Sequence, residues 1–393
     1  MGCQQSTVGS NGALPGETQL HGVPFPQEFF EKYEVSGEVL GKGGYSEVVV
    51  ASERMSRGKV AAKIILKPTV TRLMECKKEI AILEQLDHPN IIHFKGSFLT
   101  DKMNIIVEEI FQGKELFYRI IDLYEPEDGS DPLGFTEKEA HHIIRQVVEA
   151  VDYCHSRRIL HRDIKAENVL VDQDSNVKLI DMGLAERLEP GIDQFTDYPC
   201  GTPGYIAPEI LLHPSDNTKV AFTTKADIWS LGVMAFEICS GYPPFYAEEA
   251  SELMRLSKAG EYEYLEDAWG CISKECKGMI DRMLVVGIEQ RASAAEILES
   301  GWLAIDSTNV STSPLDTLDG TKKMLARKRW AKGIRAILAV NRMRNTIKNI
   351  MKAKNAISKF EEAIDGSNSQ SSPGSEENDA VDSAGVSVSV SSE

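Results

Sequence analysis

The sequence predicts an α+β protein of two unequal lobes, a small antiparallel sheet with one helix followed by a larger helical lobe. Three observations lead there. From Tyr33, "YEVSGEVLGKGGYSEVVVASE" and "KVAAKIIL" are β-branched runs separated by Gly-rich and charged turns, as antiparallel strands require. "MECKKEIAILEQL" then switches to helical spacing. Beyond residue 112 helical patterns dominate, as in "EAHHIIRQVVEAVDYCHS", "ADIWSLGVMAFEICSG" and "ASAAEILESGWL", broken by strand-like pieces at 169–171 and 177–180.

The totals narrow the class. A chain of 393 residues, 42% of them apolar, can bury an ordinary core. Its longest apolar runs, such as "AILAV" at 336–340, fall far short of the roughly 18 residues of a spanning helix. Seven cysteines, at 3, 76, 154, 200, 239, 271 and 276, show no paired metal spacing and argue for a reducing compartment. The net charge of -17 is segregated: residues 321–360 hold thirteen Lys or Arg and no Asp or Glu. That balance argues against general nucleic-acid binding and marks the basic stretch as special. Residues 1–32 and the Ser-rich acidic residues 361–393 read as disordered.

Motifs that carry chemistry follow in order. "GKGGYSEV" at 41–48 follows a strand pattern, and its small residues let backbone N–H groups close over phosphates. "VAAK" then places Lys63 where an amine can reach phosphate oxygens, with Glu79 on the next helix to hold it. "ILHRDIKAENVLV" spans 159–171, and "LIDMG" follows ten residues later. With "GTPGYIAPE" (201–209), "ADIWSLGV" (226–233) and Arg291, these make residues 33–303 resemble the eukaryotic Ser/Thr protein kinases, and the calcium/calmodulin-dependent group among them.

The resemblance implies a bilobal kinase fold and an enzyme that uses ATP and Mg2+. It implies that Asp163 accepts the substrate hydroxyl's proton, that Lys165 steadies the transferred phosphoryl group, and that Asn168 and Asp181 hold magnesium. Lys63 and Glu79 complete the catalytic set. ATP contacts are expected from Leu40, Gly41, Lys42, Gly43, Gly44, Tyr45, Ser46, Val48, Ala61, Lys63, Glu109, Glu115 and Leu170. Glu115 and Glu167 resemble acids that recognise a basic residue preceding the target Ser or Thr.

Four positions depart from the pattern or have two readings. Met182 replaces the usual phenylalanine of Asp-Phe-Gly, but an adaptable apolar side chain fills the gap for less than about 1.5 kcal/mol, so the expectation is an active kinase. Ser46 stands for a glycine and is small enough to keep phosphate access. Glu108 falls behind the adenine pocket, where the family has an apolar or small residue; a buried carboxylate there must be paired or partly neutral, or the count is off by one. Arg162 beside Asp163 often accompanies control by an activation-loop phosphate; the loop offers Thr196 and Tyr198, the latter where relatives carry their activating threonine. "DQDSNV" at 172–177 has Val177 where a calcium loop needs glycine, and reads as a turn.

"KKMLARKRWAKGIRAILAVNRMRNTIKNIMKAK" at 322–354 spaces Trp330, Ile334, Ile337, Leu338 and Ile347, Ile350, Met351 at helical intervals among bases, with Met343 thirteen residues after Trp330, a calmodulin-target or membrane-surface signature. It resembles the regulatory tail of type I calmodulin-dependent kinases. "MGCQQS" fits myristoylation of Gly2 with Cys3 beside it for palmitoylation. The expected organisation is an acylation segment 1–32, a kinase domain 33–303, an autoinhibitory and calmodulin-binding region 304–360 and a tail 361–393. Expected partners are protein substrates with a basic residue before the phosphoacceptor, calcium/calmodulin and, through acyl chains, the cytoplasmic face of a membrane, with no nucleic acid. The rival expectation is an inactive kinase-fold scaffold.

Overall fold

The alternating β-branched runs of the first lobe build a five-stranded antiparallel sheet of order β3-β4-β5-β7-β6. Its strands are β3 (Tyr33–Lys42), β4 (Ser46–Glu53), β5 (Lys59–Leu66), β6 (Phe94–Leu99) and β7 (Met103–Glu109). Ahead of them come a two-residue hairpin, β1 (Gln19–Leu20) with β2 (Val23–Pro24), and helix α1 (Gln27–Lys32). The computed structural model describes residues 19–42, 46–66, 68–124, 134–197, 199–211, 220–247, 249–305 and 310. All belong to the first of two units, residues 1–341; the second, 342–393, lies outside them. Outside them too lie Gly2, Cys3, Gly43, Gly44, Tyr45, Tyr198, Trp330, Ile334, Ile337, Leu338 and Met343.

Strand alternation divides the sheet's two faces. Val35, Val49, Ala62, Ile64, Ile105 and Val107 pack on one side with Leu20, Phe25, Phe29, Tyr33 and Phe98. The expectation of disorder through residue 32 therefore fails for 19–32. Phe25, Phe29 and Tyr33 recur every four residues, and their rings lie 5.2 and 5.3 Å apart in succession over this face. The other face carries a cross-strand row, Gly41–Val48–Lys63–Ile106, and beside it Ala61 opposite Glu108.

Helix α2 (Val70–Leu83) is capped by Thr69, whose Oγ1 accepts the Arg72 N–H at 3.3 Å, and it turns Cys76, Glu79, Ile80, Ile82 and Leu83 inward. The lobes are joined by main chain: Ile92 N–H donates to Leu179 O at 3.0 Å, and Leu179 N–H to Asn90 O at 2.8 Å.

The second lobe begins with β8 (Lys114–Glu115), α3 (Leu116–Tyr124) and α4 (Glu137–Ser156), the last opened by a Thr136–Glu139 capping box. Short strands follow: β9 (Ile159–Leu160), β10 (Val169–Val171), β11 (Val177–Leu179), β12 (Glu186–Arg187) and β13 (Phe195–Asp197). The β10–β11 connection is a turn in which Asp172 Oδ1 accepts N–H groups of Asp174 at 3.0 Å and Asn176 at 2.8 Å. After α5 (Pro208–Leu211) and β14 (Val220–Phe222), helix α6 (Lys225–Ser240) runs through the core, buried at every position after Lys225. It stops at Gly241, whose φ of 76° a side chain would strain. The fully buried Arg291 side chain forks onto Glu209 with two 2.8 Å bonds. Trp302 donates to Glu137 Oε1 at 2.7 Å, which ties residue 302 to the start of α4.

Candidate active site

β5 and α2 bring the first constellation together. Lys63 Nζ lies 2.7 Å from Glu79 Oε1 and 3.0 Å from Asp181 Oδ1. Burial alone would lower the Lys63 ammonium, but Asp181, Glu79 and Glu108 outweigh it and lift it well above its ordinary value. Lys63 in turn holds the Asp181 carboxyl far below the carboxylate range, while burial pushes Glu79 up against the pull of its lysine. The cleft therefore carries a fixed cation with carboxylates on two sides. Gly183 lies so close that a Cβ there would stand 3.1 Å from Asp181 Oδ1. Met182 is 1% exposed and sits in one cluster with Leu83, Ile106 and Leu179, so the methionine packs as its chemistry predicts.

A second constellation surrounds Asp163. Lys165 Nζ donates to Asp163 Oδ2 at 2.6 Å and to Thr202 Oγ1 at 3.0 Å, and Thr202 donates to Asp163 Oδ1 at 2.7 Å. Asn168 Nδ2 donates to the Asp163 carbonyl at 2.8 Å, and Ile180 N–H to the Asn168 carbonyl at 2.9 Å. The carboxylate, the lysine and the segment leading to Asp181 are thus one hydrogen-bonded assembly. Its backbone is strained, with φ of 68° at Arg162 and 65° at Asp181, each costing about 1–3 kcal/mol. Buried Asp227 holds the first of these: Oδ2 accepts His161 N–H at 2.9 Å and Oδ1 accepts Arg162 N–H at 2.8 Å. Sequence reading missed Thr202 and Asp227 as site residues, although both lie inside motifs it singled out.

Glu108 occupies the position counted for it, opposite Ala61 on β5 and Phe94 on β6, on the cleft face with Lys63. Among the described residues its carboxylate has no hydrogen-bond or ion-pair partner. Burial pushes it up to about 7, against the pull of Lys63, so of the alternatives for this residue partial neutrality holds.

Of the remaining expected nucleotide contacts, Val48, Ala61 and Leu170 are half-buried around the cleft and Leu40 is 48% exposed at its rim. Gly41 pairs with Val48, Lys42 with Glu47, and Ser46 with Ile65. Glu109 spends its carboxylate elsewhere, accepting His93 N–H at 2.9 Å and meeting Lys178 Nζ at 2.6 Å. Glu115 lies in register with Leu170 on β10. Glu167 is half-buried near Tyr205 and Glu237. Glu237, which sequence reading missed, bonds the Tyr205 hydroxyl, and burial pushes it up to about 8, with Glu167 adding to the rise.

The comparisons with known proteins agree with this geometry. Residues 33–303 match the protein kinase domain family. The chain belongs to the protein kinase family. The kinase is 33% identical over 319 residues to calcium/calmodulin-dependent protein kinase type 1 of Macrobrachium nipponense, covering 80% of this chain and 87% of that one. It is 34% identical to myosin light chain kinase A of Dictyostelium discoideum, covering 73% and 92% of the two chains. Among solved structures it resembles the autoinhibited serine kinase domain of the giant muscle protein titin, with a TM-score of 0.64, 31% identity, and coverage of 76% of this chain and 88% of that one. It is a protein serine/threonine kinase that takes ATP with magnesium.

The residues present fit that metal. Asn168 spends its Nδ2 on Asp163, which leaves its side-chain oxygen to accept, and Asp181 brings a carboxylate held ionised by Lys63. Both are hard oxygen ligands, and two protein ligands suit an ion that completes its shell with phosphate and water.

Proposed function

We propose that the kinase phosphorylates Ser or Thr preceded by a basic residue, is restrained at rest by residues 304–330, and is released when calcium-loaded calmodulin grips 325–345. We also propose that acyl chains on Gly2 and Cys3 tether it to the cytoplasmic face of a membrane, because one myristoyl chain alone gives only marginal binding. One observation carries the regulatory reading: directly after the domain, residues 321–360 hold thirteen bases and no acid, with Trp330 and Met343 thirteen apart. Relatives named as calcium/calmodulin-dependent kinases support it.

In this reading Asp163 takes the proton of the acceptor hydroxyl, as its position between Lys165 and Thr202 allows. Lys165 offsets charge on the transferring group, and Lys63, fixed by Glu79, holds phosphate oxygens. Magnesium at Asn168 and Asp181 neutralises phosphate charge when bound. Glu115 and Glu167 receive the basic side chain of the substrate.

Phosphorylation of a basic Ser peptide, with and without calcium and calmodulin, tests the reading. Calcium and calmodulin should raise the rate of the full chain, and truncation after Leu303 should raise the calcium-free rate. Equal rates in all arms would refute the restraint. Native protein should sediment with membranes after acylation and Gly2→Ala should not; equal sedimentation would refute the anchor.

A further inference from the structure

Arg162 directly precedes Asp163, and its side chain is only 3% exposed. Its Nη2 donates to Asp197 Oδ2 at 3.0 Å, and its guanidinium lies 4.8 Å from the Phe195 ring centre and 4.2 Å from that of Phe222. Its Nη1 stands 3.9 Å from Glu186, which itself pairs with Lys78 on α2. One run of contacts thus links α2, β12, the loop bearing Asp163, and β13.

A guanidinium withdrawn from water needs an anion at hydrogen-bond distance. Asp197 supplies it here, since Glu186 stands at 3.9 Å. The register shows why the neighbouring threonine does not serve. β13 pairs with β14 through Phe195↔Phe222, Thr196↔Ala221 and Asp197↔Val220. Side chains alternate along a strand, so Phe195 and Asp197 share the Arg162 side while Thr196 is exposed on the other. A phosphate on Thr196 would stand on the face turned away from Arg162, and a one-residue slip that brought it round would take Phe195 and Asp197 off the guanidinium.

We propose that Asp197 is a positioning residue for phosphoryl transfer, and that its pairing with Arg162 seats the loop and aims Asp163 without any phosphate on the loop. The 68° φ of Arg162 persists only where its surroundings over-determine it. Asp227 fixes the main chain there; Asp197 and the two rings fix the side chain.

The test uses the full chain, freed of phosphate by a phosphatase and checked by mass spectrometry. Assays run with and without calcium and calmodulin, so that a failure of C-terminal control is read separately from a failure of the loop contact. The phosphate-free native chain should be as active as one phosphorylated on the loop, and Thr196→Ala and Tyr198→Phe should leave its rate unchanged. Asp197→Asn should lower kcat by about tenfold or more with the KM for ATP within about twofold, and Asp197→Glu should restore most of the rate. If the Asn variant does not fold, the Glu variant and the phosphate-free native chain decide. Native kcat in Asp197→Asn, or a phosphate-free chain that needs loop phosphorylation for its activity, would overturn the proposal.

Discussion

Glu79 and Lys63 meet between helix and sheet, carboxylate oxygen and ammonium nitrogen 2.7 Å apart, with Asp181 3.0 Å from the same nitrogen. The contact connects the position of α2 to that of the Lys63 ammonium on the cleft face. A shift of the helix that broke it would leave Lys63 to Asp181 alone.

Glu79→Gln should therefore cut kcat/KM roughly a hundredfold, the scale of losing one preorganised electrostatic contact. Its melting temperature should fall only modestly, because Lys63 keeps Asp181 at 3.0 Å as a partner. Steady-state kinetics beside calorimetry separate the two effects.

Much of this was legible in the sequence, and what was not has a physical reason. Strand alternation announced the sheet, and the resemblance of the motifs bearing Lys63, Asp163, Asn168 and Asp181 to the protein kinases implied the cleft. Glu108 was placed correctly by counting from "KELF", but its state depends on burial that no local pattern encodes. Asp227 bonds a backbone 66 positions away and Thr202 a carboxylate 39 away, so their parts exist only after folding. Residues 19–32 were misjudged because a polar, Pro-containing composition outweighed three aromatics at a four-residue spacing.

Met182→Phe should be nearly neutral, changing stability by less than about 1.5 kcal/mol and activity by a few-fold at most, since the site is an enclosed apolar gap. Urea denaturation and peptide phosphorylation check it. Asp181→Asn, at the adjacent residue, should instead abolish magnesium-dependent transfer.

Glu108 makes the nucleotide-free protein sensitive to pH. Its carboxyl titrates at about 7 when folded, above the ordinary 4.5 of the unfolded chain, so between these values the folded form holds a proton the unfolded chain has released. This group's contribution to stability is full below 4.5 and is lost as pH rises through 7. Glu108→Gln should accordingly melt several degrees above native at pH ~8 and close to native at pH ~4.

Arg291→Ala removes the partner of Glu209, a carboxylate whose side chain is 10% exposed. The expected loss is about 3–5 kcal/mol of unfolding free energy, measured by urea denaturation, because it strands a buried charge. Arg291→Lys should recover only part of it, since an ammonium cannot reproduce two parallel bonds.

The central claim is that Lys63, Asp163, Asn168 and Asp181 act together on ATP, and phosphate transfer to a basic Ser peptide by the purified chain, beside Asp163→Asn, tests it most directly. The native chain should transfer phosphate with magnesium, and the variant should lose about 10²–10⁴-fold in kcat while still binding magnesium-ATP. A variant as fast as the native chain, or a native chain with no affinity for magnesium-ATP, would contradict it.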